Sequence, residues 1–202
     1  MTLTDAQIER YSRQIIVPHV GGRGQDRLLQ ATMMVAGDAR DIEAPLAYLA
    51  GAGVGTIVVR ASGAPPEIRS KIAAARELNP DVSIVAEDES KSPVDLALAI
   101  VGSEAARRVS IEIASDREVR AWVVARLDTP GKIAVIADPP SPRTADTSIL
   151  GSVGTRSEAA DFIAMLATAE AFKLIAGYAE NPSGATIQIE FDGYQTRTSV
   201  HP

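Results

Sequence analysis

Along the chain, short uninterrupted apolar runs alternate with stretches in which apolar residues recur every three or four positions. The runs at Thr32–Gly37, Gly55–Arg60, Val82–Ala86, Leu96–Val101 and Val119–Ala125 read as strands that are apolar on both faces. The stretches Ile42–Gly51, Pro66–Leu78 and Ser103–Ser115 read as the helices between them. This βαβ rhythm predicts an α/β fold with a doubly wound, mostly parallel, Rossmann-like sheet covered by helices.

The two ends depart from that rhythm. Thr4–Ile16 reads as one helix, capped by Thr4 or Asp5, and a glycine-rich break at Gly21–Gly24 leads to a second short helix through Leu28 and Leu29. These form a helical N-terminal arm. After Val119–Ala125, Lys132–Ala137 reads as a strand turned back at Pro130-Gly131, and the proline-rich stretch Asp138–Thr147 reads as a loop. Ser157–Tyr178 reads as a long helix with an apolar stripe at Phe162, Leu166, Ala169, Phe172 and Ile175, ending near Gly177, before Asn181-Pro182-Ser183-Gly184. Ala185–Phe191 and Tyr194–Val200, around Asp192-Gly193, predict a hairpin of antiparallel strands at one sheet edge. A single domain over 1–202 is expected, with an arm at 1–30, a core at 31–137 and the helix and hairpin at 138–202.

Composition narrows the chemistry. A net charge of −6 gives no broad basic surface for nucleic acid or anionic lipid. The chain has no cysteine, so thiolate zinc sites and thiol nucleophiles are excluded. Its two histidines, His19 and His201, stand too far apart in sequence to suggest a histidine metal centre. No apolar run reaches the roughly 20 residues that span a bilayer. The opening Met1-Thr2-Leu3-Thr4-Asp5 has neither a basic nor an apolar leader pattern, so a cytoplasmic protein is expected.

The candidate chemistry lies at the first strand-to-helix turn, Gly37-Asp38-Ala39-Arg40-Asp41-Ile42-Glu43. A nucleotide-binding domain carries its phosphate loop there, using glycines for close backbone approach and a helix N-terminus for the anion. Here one glycine remains, and Asp38, Asp41 and Glu43 crowd the phosphate position. An acid about 4 Å from a phosphate costs on the order of 1 kcal/mol in water and about 4 kcal/mol at an effective dielectric near 20. A helix terminus contributes roughly 0.3–2 kcal/mol, so repulsion wins. Asp41 reads instead as the N-cap of the following helix, with Glu43 favoured by its dipole. Arg60, ending the second strand, is a residue type that accepts a 2′-phosphate in NADP-binding folds, although the pyrophosphate loop that should accompany it is missing. Ser152 and Ser157 have no histidine placed to activate them, and Trp122 reads as core.

These landmarks fall in a familiar order. Arg10-Tyr11-Ser12-Arg13-Gln14-Ile15, Gly24-Gln25, Leu49-Ala50-Gly51-Ala52-Gly53-Val54-Gly55, Leu78-Asn79-Pro80 and Glu170–Gly177 together resemble the ThiF/MoeB/HesA proteins, bacterial relatives of the ubiquitin-activating enzymes. The resemblance runs almost end to end. It implies homodimers that bind ATP·Mg and adenylate the C-terminal glycine of a ubiquitin-like sulfur carrier, many of them with a cysteine or a structural zinc. Carried over residue by residue, much of that machinery is missing. Of the family's glycine-rich loop only Gly37 stands, and Ala39, Arg40 and Ile42 replace the other glycines. The ribose-binding acid falls on Ala61, the expected lysine on Glu67 with Lys71 one turn later, and the magnesium-binding aspartate on Gly102. Ser62–Pro65 stands where a loop bearing an asparagine and an arginine is expected. Arg13 is retained, and in the family it reaches into the partner subunit's site.

The expectation is therefore a member without ATP, magnesium or zinc that has lost adenylation and serves as a homodimeric scaffold or protein-binding module. Its partner would be a ubiquitin-like carrier protein or a paralogue. The alternative is an active adenylating enzyme in which Arg13, Arg40 and Lys71 replace the lost phosphate contacts, and a remoter one is an NADP-type protein using Arg60.

Overall fold

The computed structural model of the chain describes residues 3–89, 93–116, 118–128, 131–137, 152–177, 186–192 and 195–201. Three helices, α1 (Asp5–Arg10), α2 (Ser12–Ile15) and α3 (Gly21–Gln30), lead into β1 (Thr32–Asp38), α4 (Glu43–Ala52), β2 (Thr56–Ser62), α5 (Pro65–Arg76) and β3 (Ser83–Ala86). A 3-10 turn at Glu87–Glu89 follows, then β4 (Leu96–Val101), α6 (Glu104–Asp116), β5 (Ala121–Arg126), β6 (Gly131–Ala137), α7 (Ala160–Ala176), β7 (Thr186–Asp192) and β8 (Gln195–His201). The strands form one sheet in the order β3-β2-β1-β4-β5-β6-β7-β8. The first five pair in parallel and the last three antiparallel, as the sequence pattern predicts. The Asp138–Thr147 loop and the Asn181–Gly184 break lie outside the described residues.

Successive residues of the central strands serve two cores, which is why their runs are apolar throughout. Met33, Val35, Ile57, Val59, Leu98, Ile100 and Val123 pack beneath α4, α5 and α7. Met34, Ala36, Val58, Ala97, Ala99, Trp122 and Val124 pack beneath α6. Trp122 is fully buried core, as its place in an apolar run suggests.

One expectation about the helices is corrected. The arm is not continuous over Thr4–Ile16: Thr4 caps α1 through a capping box with Gln7, but the helix is interrupted at Tyr11 (φ −97°, ψ 13°). Tyr11 turns its ring onto Gly53, where a Cβ would lie 2.6 Å from the ring. Its hydroxyl donates to Asp81 (3.1 Å) and accepts from Asn79 Nδ2 (2.9 Å), which also donates to the Ala50 carbonyl (2.9 Å). Burial, reinforced by Asp81, pushes the Tyr11 phenol up to about 12. The arm is thus pinned to the turn after α5 and to the end of α4.

In α7 the fully buried residues include Ala160, Ile163, Ala164, Ala167, Thr168 and Ala171, while Leu166, Phe172 and Ile175 of the bulkier stripe pack partly buried against the same core. Small residues let the helix axis approach the sheet closely. Phe162 is left 52% exposed, while Phe172 sits partly buried edge-on to Tyr48 with ring centroids 6.4 Å apart.

Candidate functional site

In a doubly wound sheet the ligand crevice lies beyond the carboxyl ends of the strands where strand order reverses. Here that point lies beyond β1 and β4, because β2 leaves β1 on one side and β4 pairs with it on the other. The residues there are Gly37 and Asp38 at the end of β1, Ser62 ending β2, and Gly102-Ser103 after β4.

Gly37 is required by strand packing. A Cβ on it would stand 2.7 Å from the Ile100 carbonyl oxygen and 3.0 Å from the Ile42 side chain. Its neighbour Asp38 turns its carboxylate into the crevice, where Oδ1 accepts the Ser103 hydroxyl (2.8 Å) and the Ser62 hydroxyl. The Asp38 carbonyl accepts the amides of Asp41 (2.9 Å) and Ile42 (3.1 Å), closing a tight turn. One aspartate therefore ties together the ends of β1, β2 and β4.

Asp41 is not the N-cap of α4, which is Ile42 and makes no side-chain cap. The Asp41 side chain is 1% exposed and is directed to Arg156, whose Nη1 lies 2.9 and 3.0 Å from its two oxygens. Arg40 Nε adds a third contact at 3.2 Å. A charged pair held by several hydrogen bonds outcompetes a cap bond to a backbone amide. The position of this carboxylate also explains Gly102: a Cβ there would lie 2.2 Å from Asp41 Oδ2 and 3.1 Å from Arg156 Nη1. The Asp41–Arg156 pair therefore occupies the space in front of Gly102.

Arg156 belongs to a strap, residues 152–157, laid across the carboxyl ends of β4 and β5. Asp128 anchors it, accepting from Arg126 Nε (3.0 Å) and the Gly154 amide (3.0 Å). Glu104 accepts the Val153 amide (2.8 Å), and the Ser157 amide donates to the Leu127 carbonyl (2.7 Å). Burial pushes the Asp128 carboxyl up, but the Arg126 guanidinium and the Gly154 amide outweigh it and hold the group below its ordinary value. The Val153 amide and Arg107 act on Glu104 in the same direction. A lowered folded-state value means a stabilising contribution that is fully present above the unfolded value, near 4, and lost as pH falls through the folded one. Urea unfolding should therefore show wild type and Asp128→Asn converging as pH falls below about 4, with their full difference at neutral pH. A difference that is unchanged down to the acid limit would refute this anchoring.

The remaining sequence candidates are dispersed. Arg60 is paired with Glu87 through Nε and Nη1 (3.0 Å each) and with Glu112 (2.5 Å), so a 2′-phosphate would have to displace two carboxylates. Lys71 is bonded to Glu43 and lies 3.9 Å from Glu67. Arg13 is exposed on α2. Among the described residues, no group of three or more His, Cys, Asp or Glu side chains could hold a metal ion, and no helix is long and apolar enough to cross a membrane. Ser62, Ser103 and Arg156 complete the site without having been singled out in sequence. Ser103 carries a local signal, since its hydroxyl accepts the Ala106 amide (3.1 Å) at the start of α6. Arg156 carries none.

No protein-family model matches the chain. Among curated proteins it is 30% identical over 147 residues to the sulfur carrier protein ThiS adenylyltransferase of Escherichia coli, covering 63% of this chain and 58% of that one. It is 30% identical over 168 residues to the adenylyltransferase and sulfurtransferase uba4 of Aspergillus niger, covering 69% and 35%. With the SAMP-activating enzyme E1 of Haloferax volcanii it shares 37% identity over 103 residues, 42% and 38% of the two chains. It therefore spans only 35% to 58% of the length of these relatives. The fold is shared with E. coli MccB, solved with ATP (TM-score 0.62, 14% identity, 94% of this chain and 70% of that one). It is also shared with PaaA (TM-score 0.63, 16% identity, 98% and 84%). These likenesses agree with the resemblance carried by Arg10, Tyr11, Arg13 and the Leu78–Pro80 turn, and the chain belongs to the ThiF/MoeB/HesA family of ubiquitin-activating-enzyme-like proteins.

Proposed function

We propose that this chain is a protein-binding member of its family that no longer adenylates, with its nucleotide crevice occupied by its own side chains. The observation that carries the reading is the pair of carboxylates at the switch point. Asp38 takes the hydroxyls of Ser62 and Ser103, and Asp41 with Arg156 fills the space before Gly102. ATP·Mg does not fit this donor set: phosphate oxygens would meet two carboxylates where backbone amides and a metal-binding acid are needed. Isothermal titration of the full chain with ATP·Mg should give no saturable heat, and micromolar binding would overturn the reading.

A ubiquitin-like carrier protein or a paralogue is the proposed partner, by analogy with relatives named as sulfur-carrier and SAMP-activating enzymes. Homodimer formation is supported by exposed apolar residues on the arm and beside it, Ile8 (48%), Ile16 (77%) and Leu78 (55%). A single-protomer mass in light scattering would count against it.

The names of the relatives favour a second reading, an active adenylating enzyme with a rearranged pocket. Arg13 and Arg40 are exposed and could meet phosphate, whereas Lys71 is held by Glu43. Carrier-dependent pyrophosphate exchange is its test, and absence of exchange would end it.

A further inference from the structure

A cavity of about 640 Å³ opens on the outer side of the Asp41–Arg156 pair, between the N-terminal ends of α4 and α7. We propose that it is a binding site for a small oxyanion ligand, a carboxylate or a phosphoryl group, gripped by Arg40 and Arg156. The volume suits a metabolite-sized molecule. Its wall includes Ala44, Pro45, Ala47 and Ala164, whose short side chains leave the space unfilled, and Glu43, whose carboxylate is bonded to Lys71.

Arg40 supplies the recognition element. Its side chain is 69% exposed, yet Nε is tied to Asp41 at 3.2 Å, which orients the guanidinium at the cavity. Its two Nη groups make no hydrogen bond among the described residues. A planar donor fork fixed at one end and open at the other matches the two oxygens of a carboxylate or phosphate. Asp41 does not cancel this capacity, because Arg156 already neutralises it.

Arg156 supplies the second contact by exchange. Its Nη2 is held by Asp161 at 3.1 Å, and the Asp161 side chain is 98% exposed. Exposed ion pairs contribute little and dissociate readily. An incoming oxyanion replaces Asp161 on Nη2 while Nη1 stays on Asp41, so the ligand enters without uncovering the buried pair. Asp161 therefore acts as a competitor for the site, and removing its charge strengthens binding.

The test is titration of the full chain with inorganic phosphate and, separately, with malonate, by calorimetry and by the arginine side-chain Nε–Hε resonances. At least one probe should bind saturably and shift the Arg40 resonance, and which probe binds tells a phosphoryl from a carboxylate ligand. Arg40→Gln should weaken that binding about tenfold or more, and Asp161→Asn should tighten it. Arg40→Gln removes one of the contacts to the buried Asp41 but leaves Arg156 on it, and Asp161→Asn changes only an exposed pair. Absence of saturable binding by both probes, an affinity unchanged in Arg40→Gln, or weaker binding in Asp161→Asn would each overturn the proposal. The titrations are repeated with saturating ATP·Mg present: binding that persists belongs to this cavity, and binding abolished by ATP would overturn a site separate from the nucleotide crevice.

Discussion

Arg156→Met should destabilise the folded chain by about 3 kcal/mol, seen as a lower urea midpoint at unchanged slope. The cost arises from what the substitution leaves behind. Asp41 stays 1% exposed with its carboxylate against Gly102, and only the well-solvated Arg40 remains as a partner. Removing one member of a buried pair typically costs about 3–5 kcal/mol. The lower end applies here because Arg156 is itself 29% exposed and Arg40 persists. Adding Asp41→Asn should recover most of the loss, since no uncompensated charge then remains. A single-variant cost below about 1 kcal/mol would mean that the pair behaves as a surface contact and does not close the crevice.

Gly55→Ala should cost about 3 kcal/mol or prevent folding, for a reason unrelated to conformational freedom. A Cβ at Gly55 would lie 1.9 Å from the Leu29 carbonyl oxygen and 2.7 Å from its carbon. Both backbones are fixed where they stand. The Gly55 amide donates to Leu28 (2.9 Å), Thr56 donates to Ala31 (3.0 Å), and the Gly55 carbonyl accepts from Ser83 (2.9 Å). Overpacking against tethered backbone cannot be relieved by a rotamer change. Gly51→Ala, four residues earlier, is the control: nothing lies within 4 Å of its Cβ and it sits in the last turns of α4. That change should stabilise by about 0.5–1 kcal/mol. If both variants lose stability equally, the close approach of α3 to β2 is not the cause.

These two sites show how differently the fold and the candidate site can be read from the chain. The central strands declare themselves because burial on both faces demands a continuous apolar run, and Leu96–Val101 matches its predicted bounds. The Thr4 cap of α1 and the αL glycine ending α7, Gly177 at φ 69°, depend on neighbours within a few residues and are equally visible. The face of α7 is not. Phe162, Leu166 and Phe172 form the more apolar stripe, yet the fully buried positions are mostly alanines, Leu166 and Phe172 are only partly buried, and Phe162 is exposed. The break at Tyr11 likewise answers to Gly53 and Asn79, far along the chain.

At the site, the sequence by itself determined that the phosphate loop is altered: three acids and one glycine lie from the end of β1 to the first residue of α4, and the facing positions are Ala61, Glu67 and Gly102. Only the tertiary structure decided what those residues do instead. Asp41 is drawn from a capping role to Arg156, 115 residues away, and Asp38 to hydroxyls brought in by β2 and α6. A helix start is governed by hydrogen bonds within one turn, so its residue types can be read in order along the chain. The destination of a buried charge is governed by whichever opposite charge the completed fold places within reach, and that depends on packing across the whole sheet.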